Sequence, residues 1–491
     1  MFKRPTKKQQ LIRRIIVLTV MSLAVIVIVA GTILFILGYR VDGNKGRLEQ
    51  GALVQFDSRP NGADVQIDGK SIRANTPSKQ SIVAGSHLFT VKRDKYESWS
   101  KRLSVKAGTL QWLDYIRLVP KDLKTEAVAT YTTVVDEKAS PDNKWLLVQE
   151  KADTPTFQLV DLRSQQIKSS TLNLPADSYS EAGVADVTHS FELETWDENG
   201  RYILVKHTYA DKNEYIVMDT QDIATSVNVS QSLSISLSEV KFSGTSGNIL
   251  YGLSTDGTLR RLDLSSGTIS RALASNVKTF NLFDTNIISY IGTDGKTPAT
   301  QLAGIYREGD TNTHVIATAT AAEAPLHIAF TQYYNDDYVA VSDGLKVTIF
   351  KGNYPADSDT DNDSLKQYAQ FAASANVDTL TFSKEGDFLV AQSGLTFVGY
   401  EIEYLRFTSG TIPTSETTAH TLNWLDNAYL WATYDGHLSI REFDGTNTHV
   451  IMPMEPGFDA TLSQNGKYLY GVAKNADGSK YQLQRVQMIL N

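Results

Sequence analysis

The 491-residue sequence contains no cysteine. That excludes disulfides, thiolate zinc sites and a cysteine nucleophile, so a fold outside the cytoplasm must rest on buried apolar surface and backbone pairing. Sustained 3.6-residue periodicity is missing from the chain after its first 39 residues, which argues against a helical body. Catalytic signatures are missing as well. The sequence has no His-Glu-x-x-His pair, no Gly-x-Ser-x-Gly elbow and no Gly-x-x-x-x-Gly-Lys-Ser/Thr phosphate loop. Its 8 histidines are scattered, and none pairs at ligand spacing along the sequence.

Charge is absent from Ile15 to Tyr39, between Arg14 and Arg40. Twenty-five residues of α-helix span about 37 Å, enough to cross a hydrocarbon core of about 30 Å with some tilt. Lys3, Arg4, Lys7, Lys8, Arg13 and Arg14 precede this run with no acid among them. Positive flanks stay cytoplasmic, so the expected topology is a single-pass anchor in the cell membrane, N-terminus inside and the remainder extracytoplasmic. A cleaved signal peptide would have a core of about 7–15 residues followed by a small-x-small site; here the run is longer and large residues follow it. Taking these six basic residues from the 47 leaves 41 against 55 acidic residues, a balance of −14. An acidic ectodomain of this kind argues against nucleic acid as a partner, and none is expected.

Residues 46–120 read as a small β-sandwich-like module. Val54 and Phe56 alternate with polar residues up to the turn Arg59-Pro60-Asn61-Gly62, and Val65-Gln66-Ile67 runs into Asp68-Gly69, a hairpin pair. Thr76-Pro77 opens an extended piece, and His87 to Val91 is a period-2 strand. Tyr96, Trp99 and Trp112 are core candidates, with a carbohydrate-stacking face as the alternative. Pro60-Asn61-Gly62-Ala63, the Val65–Gly69 run, Thr76-Pro77, Ala84 to His87, Tyr96 and Leu118-Val119-Pro120 together resemble the PEGA domain family, with Asn61 in place of Glu and Lys95 in place of Gly. The resemblance implies an accessory module of envelope and surface proteins, without catalysis.

Residues 125–491 repeat. Ser140-Pro141-Asp142-Asn143-Lys144-Trp145 precedes an apolar strand, and the theme returns at Trp196 to Tyr202, Phe382 to Phe388 and Leu462 to Tyr468. Weaker copies start near Phe242, Phe283, Tyr333 and Trp424. A hexapeptide, Thr311-Asn312-Thr313-His314-Val315-Ile316, recurs as Thr446-Asn447-Thr448-His449-Val450-Ile451. Asp-Gly pairs at Asp256, Asp294, Asp343, Asp435, Asp444 and Asp477 supply turns. Four-strand units of about 40–55 residues predict a β-propeller of eight blades, seven being the alternative count. The last unit offers only three strands, so Glu126 to Tyr131 is expected to complete it. The pattern resembles WD40-like and TolB-like propellers, which implies a face for binding proteins, peptides or glycans.

The fold class is therefore an all-β ectodomain behind one N-terminal transmembrane helix, divided as tail 1–14, span 15–39, module 46–120 and propeller 125–491. The metal candidate is the loop bearing Asp357, Asp359, Asp361 and Asp363, whose alternating carboxylates suit Ca²⁺ but which lacks the glycine and glutamate of an EF-hand. No other cofactor and no catalytic residue is expected. The function expected is binding or scaffolding, with an envelope protein or cell-wall glycan as partner. The alternative is a carbohydrate-active enzyme, hydrolase or lyase, which would use carboxylates from different blades converging on the ring axis; the sequence does not place acids such as Asp197, Glu239 or Asp426 there. His314 and His449 are expected to serve the repeat rather than chemistry.

Overall fold

The computed structural model describes residues 6–36, 39–41, 48–184, 186–320, 325–354, 364–418 and 420–490. They divide into two compact units, Met1–Lys121 and Asp122–Asn491.

In the first unit a helix runs Lys7–Ile36. Its Gln10–Leu34 stretch has a mean hydropathy of 2.8 with none of it buried, long and apolar enough to cross a membrane. Thr19 and Thr32 fit such a helix because their Oγ1 donates to the carbonyls of Ile15 (2.9 Å) and Ile28 (2.7 Å) one turn back. The helix differs from the expected span at both ends. It takes in the basic residues from Lys7, and Tyr39 lies in a strand, Tyr39–Val41, paired with Leu48–Gln50. Tyr39 and Val41 are strand formers, and they pair with Gln50 and Leu48 instead of continuing the helix.

Two four-stranded sheets build the module. Leu48–Arg59 is central in one, antiparallel to Ser78–Val83 and parallel to Leu110–Arg117. The other runs Lys70–Asn75, Asp64–Ile67, Gly85–Lys92, Trp99–Val105. Asp68 (φ 50°) and Gly69 (φ 78°) form the expected tight hairpin, both in the left-handed region. The alternating residues Val54, Phe56, Val65, Phe89 and Val91 are buried, as are Tyr96 and Trp99, while Trp112 is half-buried.

The second unit contains eight four-stranded antiparallel sheets, each built from consecutive strands except the last. We number them as blades one to eight: 136–173, 189–228, 237–269, 277–320, 326–372, 379–411, 423–453 and 461–487. Blade eight borrows its outer strand, Thr125–Tyr131, from the start of the unit, with Tyr131 opposite Tyr481 and Thr125 opposite Val486. First strands of successive blades approach one another. Trp196 Nε1 donates to the Lys138 carbonyl (3.1 Å), Lys241 Nζ to Asn281 Oδ1 (2.9 Å) and Trp424 Nε1 to Thr381 Oγ1 (3.2 Å). The backbone N–H of Asp459 donates to Glu137 Oε1 (2.6 Å), which carries the circle from blade eight back to blade one. This is an eight-bladed β-propeller.

The repeated turn has a plain mechanical reason. Where the first strand turns into the second, one side chain caps the turn from inside. Ser140, Ser383 and Ser463 each accept on Oγ the backbone N–H five residues on, that of Trp145 (3.0 Å), Phe388 (3.1 Å) and Tyr468 (3.0 Å). The aromatic residue is thereby fixed at the strand start, where it packs between blades. Cores form in the gaps between blades: Leu147 and Phe157 of blade one meet Phe191, Leu193 and Ile203 of blade two in one cluster. Tyr131, Leu146 and Val160 meet Tyr470 and Leu483 in the closing one. A single blade has no partner for either face, so the ring is the smallest unit that buries them all. The duplicated hexapeptide opens the fourth strand of blades four and seven in one register, His314 opposite Ile305 and His449 opposite Ile440, beside a bulge in each case.

Candidate binding surface

Of the acids named from the sequence, Asp197 and Asp426 serve turns, and Glu239 lies in a strand. Asp197 Oδ1 accepts the N–H groups of Arg201 (2.8 Å) and Tyr202 (2.8 Å), doing for blade two what Ser140 does for blade one. Burial raises its carboxyl above the usual carboxylate range, against the pull of these backbone bonds. Asp426 Oδ1 accepts from Ala428 (3.0 Å) and Tyr429 (2.8 Å) in blade seven. Glu239 is paired with Lys241 (3.2 Å) and accepts from Thr279 Oγ1 (3.3 Å). Lys206 pairs with Glu192 (3.3 Å) and Lys138 with Asp459 (3.7 Å). Asp357, Asp359, Asp361 and Asp363 lie outside the described residues. Among the described residues no group of three His, Asp or Glu side chains is placed to hold a metal ion.

The histidines need a correction. Spacing along the sequence suggested no pairing, but strand register brings two together in blade two, where Phe191 lies opposite His207 and His189 opposite Tyr209. His189 Nδ1 is 2.9 Å from His207 Nε2, and His207 Nδ1 is 2.8 Å from Glu214 Oε1. The His189 and His207 rings are stacked at 5.1 Å, and the edge of Tyr179 meets His207 at 5.2 Å. His207 and Glu214 are buried. Burial alone would raise the Glu214 carboxyl, yet hydrogen bonds from His207 and from the Ser180 N–H and hydroxyl hold it down to about 2. The ionised carboxylate makes His207 Nδ1 the donor to Glu214. This chain of groups pins the Tyr179–Ser180 loop to the blade.

A pH dependence follows. A carboxyl held at about 2 in the fold, against an ordinary value of 4.5, contributes stability that is complete above about pH 4.5 and is lost as pH falls toward 2. The contribution is about 3 kcal/mol. In thermal unfolding across a pH series, Glu214→Gln is expected to be less stable than wild type at pH 7, with the gap narrowing as pH falls below about 4.5. A gap of constant size would show that ionisation of Glu214 is not what holds the loop.

Surface exposure singles out a different place. Tyr334 is 75% exposed and Leu405 52% exposed. Tyr334 sits between the first and second strands of blade five, Leu405 between the third and fourth strands of blade six. Such turns share one end of the ring, because strand direction alternates. Both residues have left-handed backbone, φ 53° and 54°, where an L-residue other than glycine or asparagine is disfavoured by about 1–2 kcal/mol. Tyr333 OH donates to Glu403 Oε2 (2.9 Å), tying the two turns together across the blade boundary. The Tyr333 and Tyr334 rings lie 4.5 Å apart. Phe407, 62% exposed, stacks on Phe371 at 6.3 Å. Two bulky apolar residues in strained, exposed turns are not what folding alone selects.

Elsewhere the cavities are polar. One of about 680 Å³ at the ring joint is lined by Glu126, Ser164, Gln165, Gln166, Lys168 and Arg485. There Arg485 is already committed to Glu126 Oε2 (2.9 Å) and the Gln165 carbonyl (2.8 Å).

No curated protein matches the chain. Among solved structures it is similar to the β-propeller domain of Myceliophteria thermophila Cps50 (Swd1), at 12% identity over 74% of this chain and 99% of that one, TM-score 0.40. It is similar also to Kluyveromyces lactis Hsv2, at 10% identity over 73% and 98%, TM-score 0.39. A third is the computationally designed Ika8 protein, at 14% identity over 74% and 97%, TM-score 0.40. Residues 52–121 match the PEGA domain family. The chain carries a PEGA domain, followed by a propeller whose eight sheets its own strand order defines.

Proposed function

We propose that this protein is a membrane-anchored binding or scaffolding protein of the cell envelope, its N-terminus cytoplasmic and its PEGA domain and propeller extracytoplasmic. The PEGA domain acts as the spacer, and the propeller carries the contact surface. The observation that supports this reading best is the pair of exposed, backbone-strained residues Tyr334 and Leu405 at one end of neighbouring blades. Asp197 and Asp426 are occupied in turns, which favours binding over hydrolysis.

The test couples stability to binding. Full-length protein in lipid nanodiscs is incubated with protein-stripped cell-wall material and sedimented, and in parallel is cross-linked on intact cells. The double variant Tyr334→Gly/Leu405→Gly is expected to gain about 1 kcal/mol per site in unfolding because glycine relieves the left-handed strain. The same variant is expected to lose its envelope partner in whichever assay captures one. Capture that is unchanged in this variant would remove the surface from the proposal.

A further inference from the structure

Blades five and six contain, beside their turns, a repeated device for holding cations. Lys351 Nζ lies 5.4 Å from the ring centre of Tyr338 and 5.3 Å from that of Tyr368, with Asp336 at 3.0 Å. The Arg406 guanidinium lies 4.6 Å over the Tyr404 ring, with Glu401 at 3.7 Å. Each set is a tyrosine face plus a carboxylate around a cation, an arrangement that gains from both ion pairing and the ring quadrupole. Glu403, Tyr333 and Tyr334 repeat the tyrosine and carboxylate parts a third time, in the same turns. Glu403 is exposed and accepts the Tyr333 hydroxyl, but among the described residues it has no cationic partner. Its neighbours do: Asp336 has Lys351, Glu401 has Arg406, and Asp337 has Arg307 at 3.4 Å.

We propose that Glu403, Tyr333 and Tyr334 form a receptor for a lysine or arginine side chain of a partner protein. Glu403 takes the charge and the Tyr334 ring covers the alkyl stem. Leu405 and Phe407, exposed two and four residues beyond Glu403, favour a peptide as the occupant, since exposed apolar side chains suit the neighbours of a basic residue in a protein segment. The balance of −14 beyond the basic tail draws such a segment in. This inference rests on the binding reading above and names the chemistry of its partner.

The probe is a fluorescent nonapeptide of three Gly-Leu-Lys repeats, titrated into full-length protein in detergent micelles and followed by anisotropy. Its lysine-acetylated form is the comparison. Glu403→Gln and Tyr334→Gly are each expected to weaken binding about tenfold. Asp211→Asn, which removes one exposed charge in blade two, is expected to leave it unchanged. Acetylation is expected to match the effect of Glu403→Gln. Equal weakening by Asp211→Asn would show attraction by net charge alone, and indifference to acetylation would show that the lysine charge is not what is bound; either result would overturn the proposal. If wall material is retained by the wild type while the peptide fails to discriminate, the binding reading stands and this inference falls. If neither ligand is captured, both fall.

Discussion

Deleting residues 122–131 is expected to abolish the folded propeller rather than trim it. The deletion removes the outer strand of blade eight, with its six paired positions. It also removes Tyr131 from the cluster it shares with Tyr470 and Leu483, and breaks the Arg485 pair with Glu126. Ladder bonds at about 1 kcal/mol each and one buried tyrosine sum to roughly 5–10 kcal/mol, which is comparable with the whole stability of a domain. The open ring would also present an unpaired edge at Tyr481–Gln487, which invites association. The expected observations are loss of the cooperative thermal transition and a shift to large species on size exclusion. A synthetic peptide covering 122–131, added during refolding, should restore both. A deletion that melts like wild type would mean the ring does not depend on its closing strand.

Gly399→Ala is expected to be strongly damaging at the boundary of blades six and seven. Gly399 lies in the third strand of blade six. A Cβ there would stand 2.0 Å from the Phe443 carbonyl oxygen and 2.8 Å from its carbon, both backbone atoms of blade seven. A backbone carbonyl cannot rotate aside as a side chain would, and Phe443 is further held by stacking on Phe388 at 3.9 Å. Opening the gap would separate two blades that share a core. The expected loss is about 3 kcal/mol or more, read by chemical denaturation. Gly436→Ala is a useful contrast, since no atom lies within 4 Å of its added Cβ, although its φ of 70° still disfavours alanine. A loss in Gly399→Ala no larger than in Gly436→Ala would show that the blades slide apart easily.

The eight-blade architecture was legible because its determinants are local. Each turn needs a capping oxygen, a tight backbone and an aromatic at the next strand, and Ser140 to Trp145 carries all three in six residues. The borrowed strand was legible because three strands at the end and one spare at the start leave one way to complete the ring. The His189–His207–Glu214 chain was not legible, since the register of the hairpin, and not spacing along the chain, decides which side chains meet. The surface at Tyr334 and Leu405 was hidden for another reason. Left-handed turn residues are normally read from glycine or asparagine, and here a tyrosine and a leucine occupy those backbone positions. The roles of Asp197 and Asp426 were open in the sequence because an aspartate that caps a turn looks there like one that faces a ligand. The register of Tyr39–Val41 with Leu48–Gln50 depends on a pairing that polar composition masks.

The borrowed strand also sets a clock. Glu126 leaves the ribosome 359 residues ahead of Arg485, the side chain that holds it. At about 5–20 residues per second, that is a wait of roughly 20–70 s. Through this interval the seven complete blades can form one after another, each closing its own hairpins, while the circle stays open. A chain that stops anywhere before Tyr481 never acquires the partner strand at all, so synthesis of Tyr481–Gln487 decides whether the preceding 350 or so residues become a ring.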